Sequence, residues 1–104
     1  MFARNVHLQL KPNSATQFTQ TLEKEVIPML RKQQGFRDEI AFLGPNENEA
    51  TSISFWDSKE KADAYNRAGY QEVLKTLARV VEGVPQLQTY EVCNSTIQQI
   101  SARA

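Results

Sequence analysis

Apolar and polar side chains alternate over residues 2–10. A period of two residues predicts a β-strand that is buried on one face. One face carries the apolar residues Val6, Leu8 and Leu10, and the other carries the polar residues Asn5, His7 and Gln9. We expect the strand to end at Lys11-Pro12-Asn13, because proline removes a backbone donor from the sheet.

A helix is predicted after this turn. Ser14 and Gln17 have the spacing of a capping box, in which both side chains accept hydrogen bonds from backbone N–H groups of the first turn. A single apolar stripe repeats every four residues, at Phe18, Leu22, Val26 and Leu30. Pro28 should kink this helix or end its regular part, and we expect Gly35 to stop it.

Three further strands are predicted. Residues 36–43 and 50–56 are predicted strands, and 50–56 is rich in Thr, Ile, Phe and Trp, which favour extended structure. The turn-forming residues 44–48 between them indicate a β-hairpin. A last strand is predicted at 87–93.

A second helical region lies between the third and fourth strands. It begins with Asp57 or Ser58 as its N-cap, is interrupted at Gly69, and should end at Gly83 and Pro85. Apolar residues at spacings of three and four are expected to face the core: Ala62, Tyr65, Tyr70, Val73, Leu74, Leu77, Val80 and Val81.

The element order βαββαβ is that of the ferredoxin-like fold, an α+β fold with one four-stranded antiparallel sheet. A length of 104 residues fits one domain over 1–104. Within it, 2–93 should form the core, and 94–104 is a polar tail to which we assign no structure.

Charge and composition disfavour several classes of protein. Twelve basic and twelve acidic residues cancel, so the chain lacks the basic surface of a nucleic-acid-binding protein. Cys93 is the single cysteine and His7 the single histidine, which argues against a metal site. No apolar run approaches the length of about 20 residues that spans a bilayer. The first residues also lack the apolar core of a signal peptide. We therefore expect a cytoplasmic protein without a membrane or nucleic-acid partner.

The predicted strands carry large apolar side chains on both faces, although the helices can cover only one face of a sheet. Ile53 and Phe55 oppose Trp56; Phe36, Ile40 and Phe42 oppose Ala41 and Leu43; Leu87 opposes Tyr90 and Val92. A second copy of the sheet would bury the uncovered face, which predicts a homodimer. Alternatively, the tail from Asn94 folds back over this face.

Six residues are candidates for a small-molecule pocket with aromatic walls and a few polar groups: Asn5, Ser52, Ser54, Trp56, Tyr65 and Tyr70. In the alternative interpretation the aromatic members belong to the core. His7 is a candidate base or substrate donor, or else a hydrogen-bonded structural histidine. Gly69 and the interrupted helix would give such a pocket a movable wall.

Residues 54–65, SFWDSKEKADAY, form a strand that ends in Trp and leads into a Ser-capped helix. Together with Gly35-Phe36 and with 70–74, YQEVL, this segment resembles the antibiotic biosynthesis monooxygenase family, and the similarity extends over roughly residues 2–93. The resemblance implies a dimeric α/β barrel with a pocket between the sheet and the helices of each subunit. Some members oxidise polycyclic phenols with O₂ and no metal or flavin; others degrade heme or isomerise small sugars.

The resemblance also suggests roles for residues. Asn5 matches the first-strand Asn of the heme-degrading branch, whereas Tyr65 and Lys75 stand near the Trp and His of that branch, which disfavours heme degradation. We therefore expect a cofactor-independent monooxygenase of small phenolic aromatics. Its catalytic residues would be Asn5, His7 and Tyr65, and its substrate-binding residues Ser52, Ser54, Trp56 and Tyr70. The alternatives are a non-catalytic dimer that binds a small aromatic molecule, or a protein without a pocket.

Overall fold

The computed structural model describes residues 1–97, so most of the predicted tail lies outside the described residues. The elements are β1 (Phe2–Leu10), α1 (Ala15–Thr21), a π-helical turn (Leu22–Val26), α2 (Ile27–Arg31), β2 (Phe36–Leu43), β3 (Glu49–Trp56), α3 (Lys59–Arg67), α4 (Gly69–Leu77) and β4 (Val81–Glu91). The strands form one antiparallel sheet in the order β2-β3-β1-β4. This arrangement confirms the ferredoxin-like α+β fold.

The helices cover one face of the sheet and enclose the core there. Val6, Leu8 and Leu10 of β1 point into this core, as their alternation predicted, and the stripe of the first helix packs against them. The most completely buried large side chains are Trp56, Phe18, Leu8 and Val80. The opposite side of the sheet, which carries Asn5, His7, Ile40, Phe42, Thr51, Ile53, Phe55 and Tyr90, is called the open face below.

The first helix is irregular where Pro28 was expected to disturb it. A proline ring clashes with the carbonyl four residues earlier and donates no backbone hydrogen bond. That earlier residue, Lys24, lies in the π-helical turn, and Pro28 itself lies in the first turn of α2, where a missing donor costs least. The chain therefore continues as a helix past its proline.

The two predicted helix caps differ in outcome. Ser58 caps α3, since its Oγ accepts a hydrogen bond from the backbone N–H of Lys61 at 3.3 Å. The capping box at Ser14 was wrong: this residue makes no side-chain cap hydrogen bond, and its Oγ instead donates to the Pro12 carbonyl at 3.5 Å. The Ser14 backbone has φ −107° and ψ 4°, outside the extended region that an N-cap normally adopts.

The fourth strand begins earlier than predicted. The helix ends at Leu77 and β4 already starts at Val81, so Gly83 and Pro85 lie within the strand. Both are tolerated because β4 is an edge strand and its register with β1 shifts between His7 and Gln9. The strand also ends at Glu91, which leaves Cys93 exposed beyond it.

Phe36 was predicted to share a face with Ile40 and Phe42, and this was wrong. The pairing of β2 with β3 shifts its register between Phe36 and Asp38, which turns Phe36 to the helix side. This residue lies opposite Trp56 and packs edge-on against it on the helix side, with ring centroids 5.6 Å apart. Ile40 and Phe42 remain on the open face as expected.

The caps provide a matched pair of stability variants. Ser58→Ala should lower the free energy of unfolding by about 1 kcal/mol, because an N–H of the first turn of α3 loses its acceptor. Ser14→Ala removes no cap and should cost clearly less. Urea unfolding of both variants measures the difference, and equal losses would contradict the assignment of the caps.

Candidate active site

A narrow cavity of about 40 Å³ lies between the sheet and the helices. This volume is enough for a few water molecules. Its walls are mostly aliphatic, with polar and aromatic groups at one end; the lining residues are Arg4, Val6, Leu8, Leu22, Val26, Leu30, Ser52, Ser54, Tyr65, Tyr70, Val73, Leu74 and Leu77. An apolar space with a few convergent polar groups is typical of a small-molecule site.

Arg4 dominates the polar end, although the sequence did not suggest it as a site residue. Only 2% of its surface is exposed. Its Nη2 donates a hydrogen bond to Oδ1 of Asn66 at 2.8 Å. The guanidinium carbon lies 4.2 Å from the ring centroid of Tyr70 and 4.8 Å from that of Tyr65, which are cation–π distances. The sequence contains one indication of this position: Arg4 alternates with Val6 and Leu8 along β1, so its side chain lies on the same face of the strand as theirs.

Three aromatic rings continue from the guanidinium into the core. Trp56 and Tyr65 stack with centroids 4.7 Å apart, and Tyr65 meets Tyr70 at 5.9 Å. Trp56 Nε1 donates to Ser54 Oγ at 2.9 Å, so the indole N–H is already used within the protein. Trp56 is completely buried and supports Tyr65 from behind rather than lining the cavity.

The break between α3 and α4 places Tyr65 and Tyr70 together. Gly69 follows the break, and a Cβ atom there would lie 2.9 Å from Tyr65 Cδ1 and from the side chain of Gln33. Glycine therefore allows α4 to start directly against the Tyr65 ring.

Burial controls the protonation of this end of the cavity. It raises the pKa of Tyr65 to about 12 and also raises the pKa of Tyr70, while Arg4 opposes both shifts. Burial lowers the pKa of Arg4, against the influence of the two tyrosines, but a guanidinium stays charged in proteins. Near neutral pH the site thus combines one buried cation with two neutral phenol groups.

A carboxylate adjoins the cavity through Ser52. The hydroxyl of Ser52 donates to Oε2 of Glu39 at 2.7 Å. Desolvation by burial raises the pKa of Glu39, and the hydrogen bond from Ser52 partly offsets this rise. Glu39 was not among the predicted site residues, because the sequence around it, Arg37-Asp38-Glu39-Ile40, gives no sign of a serine on the neighbouring strand.

The structure brings together four of the seven predicted site residues at the cavity: Ser52, Ser54, Tyr65 and Tyr70. It separates Asn5 and His7 from them. Side chains alternate along β1, so the inward orientation of Arg4 and Val6 turns Asn5 and His7 to the open face. The predicted grouping of Asn5 with the pocket was therefore wrong, and Arg4 occupies the inward position instead.

Asn5 and His7 line a separate polar cleft of about 290 Å³ on the open face, together with Thr51, Gln86 and Gln88. The His7 ring has Nδ1 3.2 Å from Thr51 Oγ1 and Nε2 3.2 Å from Glu49 Oε1. A catalytic role for Asn5 or His7 stays a prediction, and it would have to operate in this cleft.

Residues 1–97 contain no group of three or more His, Cys, Asp or Glu side chains that could hold a metal ion. Lys75 is exposed and pairs with Glu72, with Nζ 3.6 Å from Oε2. None of the helices in the described part is long and apolar enough to cross a membrane.

Solved structures with the same fold cover almost the whole chain. A protein of unknown function from Nitrosomonas europaea, NE2512, shares 15% identity at a TM-score of 0.76, covering 93% of each chain. SnoaB, a cofactor-independent oxygenase from Streptomyces nogalater, shares 10% identity at a TM-score of 0.72, covering 93% of this chain and 97% of its own. The monooxygenase ActVA-Orf6 of Streptomyces coelicolor, in complex with nanaomycin D, shares 13% identity at a TM-score of 0.76, covering 93% of this chain and 91% of its own.

At these identities the structures establish a common fold, and a search of the curated proteins found no match. The sequence identifies the family as well as the fold. A family model described as antibiotic biosynthesis monooxygenase matches residues 1–73, which is 73 of the 104 residues. The chain therefore belongs to the antibiotic biosynthesis monooxygenase family.

Proposed function

We propose that the protein is a cofactor-independent monooxygenase that oxidises a small phenolic aromatic compound in the cavity between the sheet and the helices. Family membership and the fold shared with SnoaB and ActVA-Orf6 support this class of reaction. The observation that carries it is the polar end of the cavity, where Arg4, Tyr65 and Tyr70 converge. Such a site can hold an oxygen anion away from water.

The proposed reaction draws its electrons from the substrate. A phenol loses its proton, the anion transfers electrons to O₂, and a new carbon–oxygen bond gives a ring peroxide that takes this proton back and becomes a hydroperoxide. Loss of water breaks the O–O bond and leaves a quinone carbonyl. One phenol and one O₂ thus give one quinone and one water, and the four electrons that reduce O₂ all come from the ring.

Glu39 is the proposed proton acceptor, acting through Ser52. The Ser52 hydroxyl lines the cavity and is hydrogen-bonded to the carboxylate, so a substrate proton can pass to Ser52 while the Ser52 proton passes to Glu39. Burial raises the pKa of Glu39 toward the working pH, which suits a general base.

Tyr65 and Tyr70 have the complementary role. Since burial raises the pKa of both phenol groups, they keep their protons and act as hydrogen-bond donors to the substrate anion. Donors already oriented in a desolvated site stabilise developing negative charge more strongly than water does. Arg4 adds a fixed positive charge beside them.

A ring system needs more room than the present cavity of about 40 Å³. The joint between α3 and α4 is suited to provide it, because Ala68 interrupts the helix and Gly69 begins α4. We propose that α4 moves outward on binding and then closes over the substrate, which would keep water from the anion.

We also propose a homodimer formed through the open face. Ile40, Phe42 and Tyr90 are 45%, 51% and 49% exposed there, although large apolar groups are normally covered. Residues 94–97 contain no helix or strand that could cover them. A second sheet related by a two-fold axis would bury this surface.

Activity is tested by O₂ uptake and quinone formation with dihydroxynaphthalenes and anthrones. Tyr65→Phe should lower kcat by about 100-fold, because one donor to the anion is lost. Glu39→Gln should lower it by at least about 100-fold, because the base is lost. Tyr90→Phe, outside the cavity, is the control and should leave turnover unchanged.

Two results would contradict this assignment. Turnover lost in Asn5→Ala and His7→Ala but retained in Tyr65→Phe would place the chemistry on the open face. Aromatic ligands that bind tightly without O₂ uptake, across the whole panel, would instead support the non-catalytic alternative.

The dimer is tested by sedimentation velocity. The wild-type chain should sediment as a dimer, and Phe42→Glu should shift it toward monomer, because a charge would be buried without a partner. Val84→Glu adds the same charge at a side chain that is 88% exposed on β4, the edge strand opposite to that of Phe42, so it serves as the control. A wild-type monomer at high concentration would exclude the dimer.

The raised pKa of Tyr65, about 12, predicts a loss of stability in alkali. At pH values below about 10, the pKa of tyrosine in the unfolded chain, Tyr65 makes its full contribution to the free energy of unfolding. Between that pH and the folded pKa, only the unfolded chain ionises, so stability falls as pH rises. From pH 9 to 11 the wild type should lose about 1 kcal/mol more than Tyr65→Phe does. Urea unfolding across this range measures the difference; parallel curves for the two proteins would refute it.

A further inference from the structure

We propose that Arg4 is an anion-binding residue, and that the cavity takes aromatic ligands which carry a carboxylate as well as the phenolic group. The carboxylate would bind the guanidinium, and the apolar body would extend past Leu74 and Leu77 toward the surface. This inference refines the substrate class of the proposed oxygenase site and rests on that site being the ligand cavity.

The first step is the charge of Arg4. Its side chain is buried, yet no carboxylate pairs with it among residues 1–97. Every ion pair recorded in that part of the chain joins partly or fully exposed side chains instead. A buried charge without an opposite charge is unfavourable, and protein cores seldom contain one. An anionic ligand would supply the missing charge.

The second step is the set of groups around the guanidinium. Its recorded partners are the carboxamide of Asn66 and the rings and hydroxyls of Tyr65 and Tyr70, all neutral near pH 7. Glu39, the carboxylate on the same side of the sheet, is hydrogen-bonded to Ser52 and forms no ion pair with Arg4. The polar end of the cavity therefore has a local positive charge.

The third step is the rigidity of Arg4. The two tyrosine rings lie 4.2 and 4.8 Å from the guanidinium carbon, and Asn66 fixes one nitrogen. A guanidinium held in one plane can bind both oxygens of a carboxylate without losing further conformational freedom. A lysine at this position would lack that geometry.

The fourth step concerns the apolar part of the ligand. Leu8, Leu74 and Leu77 line the cavity on one side and an outer groove of about 240 Å³ on the other. The rest of this groove consists of Ala78, Val81, Gly83, Val84 and Pro85, at the start of β4. Leu8, Leu74 and Leu77 thus form the wall between the cavity and the groove. A ligand that binds Arg4 and pushes these leucines apart would place its rings in the apolar groove. The ligand class is thus a flat aryl carboxylate.

The test is calorimetric titration with 2-naphthoate and with 2-naphthalenemethanol, which has the same rings and no charge. The wild-type protein should bind the acid at least about 10-fold more tightly, as expected for hydrogen bonds to a charged group. The sequence has a single tryptophan. The indole N–H resonance of Trp56, stacked on Tyr65, should therefore shift on binding and locate the ligand at the site.

Variants assign the preference to Arg4. Arg4→Met keeps an unbranched side chain and removes the charge, so it should reduce the ratio of the two affinities to near one, while Arg4→Lys should retain only part of the preference for the acid. Arg79→Met is the matched control, because Arg79 is an exposed arginine that is paired with Glu25 and lines neither the cavity nor the outer groove, and it should keep the wild-type ratio. Equal affinity of the wild type for acid and alcohol would overturn the inference even if no Arg4 variant folds.

O₂ uptake with 1-hydroxy-2-naphthoate and with 1-naphthol separates this inference from the proposed function. Equal turnover of both compounds would reject the anion preference and leave the oxygenase intact. Selective binding of the acids without any O₂ uptake would reject the oxygenase and leave the anion site intact.

Discussion

The burial of the Arg4 guanidinium between the rings of Tyr65 and Tyr70 organises the rest of the site. A charge in this position requires the aromatic rings to stay close, since they and Asn66 are the groups that replace its lost hydration. The rings in turn require the interrupted helix, because Tyr65 and Tyr70 belong to α3 and α4 on either side of the break. The same charge gives the cavity its polar end.

The two faces of the sheet meet different constraints. The helix side contains the core and the cavity, and its serines and Glu39 find hydrogen bonds within the chain. The open face leaves large apolar groups exposed next to the polar cleft around His7. The helices of one subunit cover the first face, whereas the second retains the character of a surface that packs against another surface. The proposed chemistry and the proposed association therefore lie on opposite sides of the same four strands.

The sequence predicted the elements well where one period dominated. Alternation predicted β1 with its observed bounds, and Gly69 marked the break between α3 and α4. It failed where two patterns overlap: Val80 and Val81 fit a helical stripe, and Pro85 resembles a terminator until β4 is known to be an edge strand. The predicted cap at Ser14 failed because spacing alone does not give backbone angles.

The site was less predictable than the fold for a related reason. A shift of one residue along a strand moves a side chain to the other face. The resemblance pointed to Asn5, and the residue one position earlier, Arg4, is the one that faces the cavity. Arginine is usually exposed, so an inward position beside Val6 and Leu8 is by itself a weak indication of a site residue. The proposed role of Glu39 depends on its hydrogen bond with Ser52 of the next strand, and the spacing of residues within one strand does not show such a contact.

Several features of the cavity are unfavourable for stability taken one at a time. Burial disfavours the ionised form of Glu39, Arg4 lacks an opposite charge among the described residues, and Gly69 is a poor helix former at the start of α4. Sequences normally avoid such conflicts except where function requires them. Their coincidence around one cavity argues for a ligand site more strongly than the cavity volume does, because a space of about 40 Å³ also occurs as a packing defect. A packing defect would give no reason for a buried cation, a carboxylate of raised pKa and a broken helix to meet at the same place.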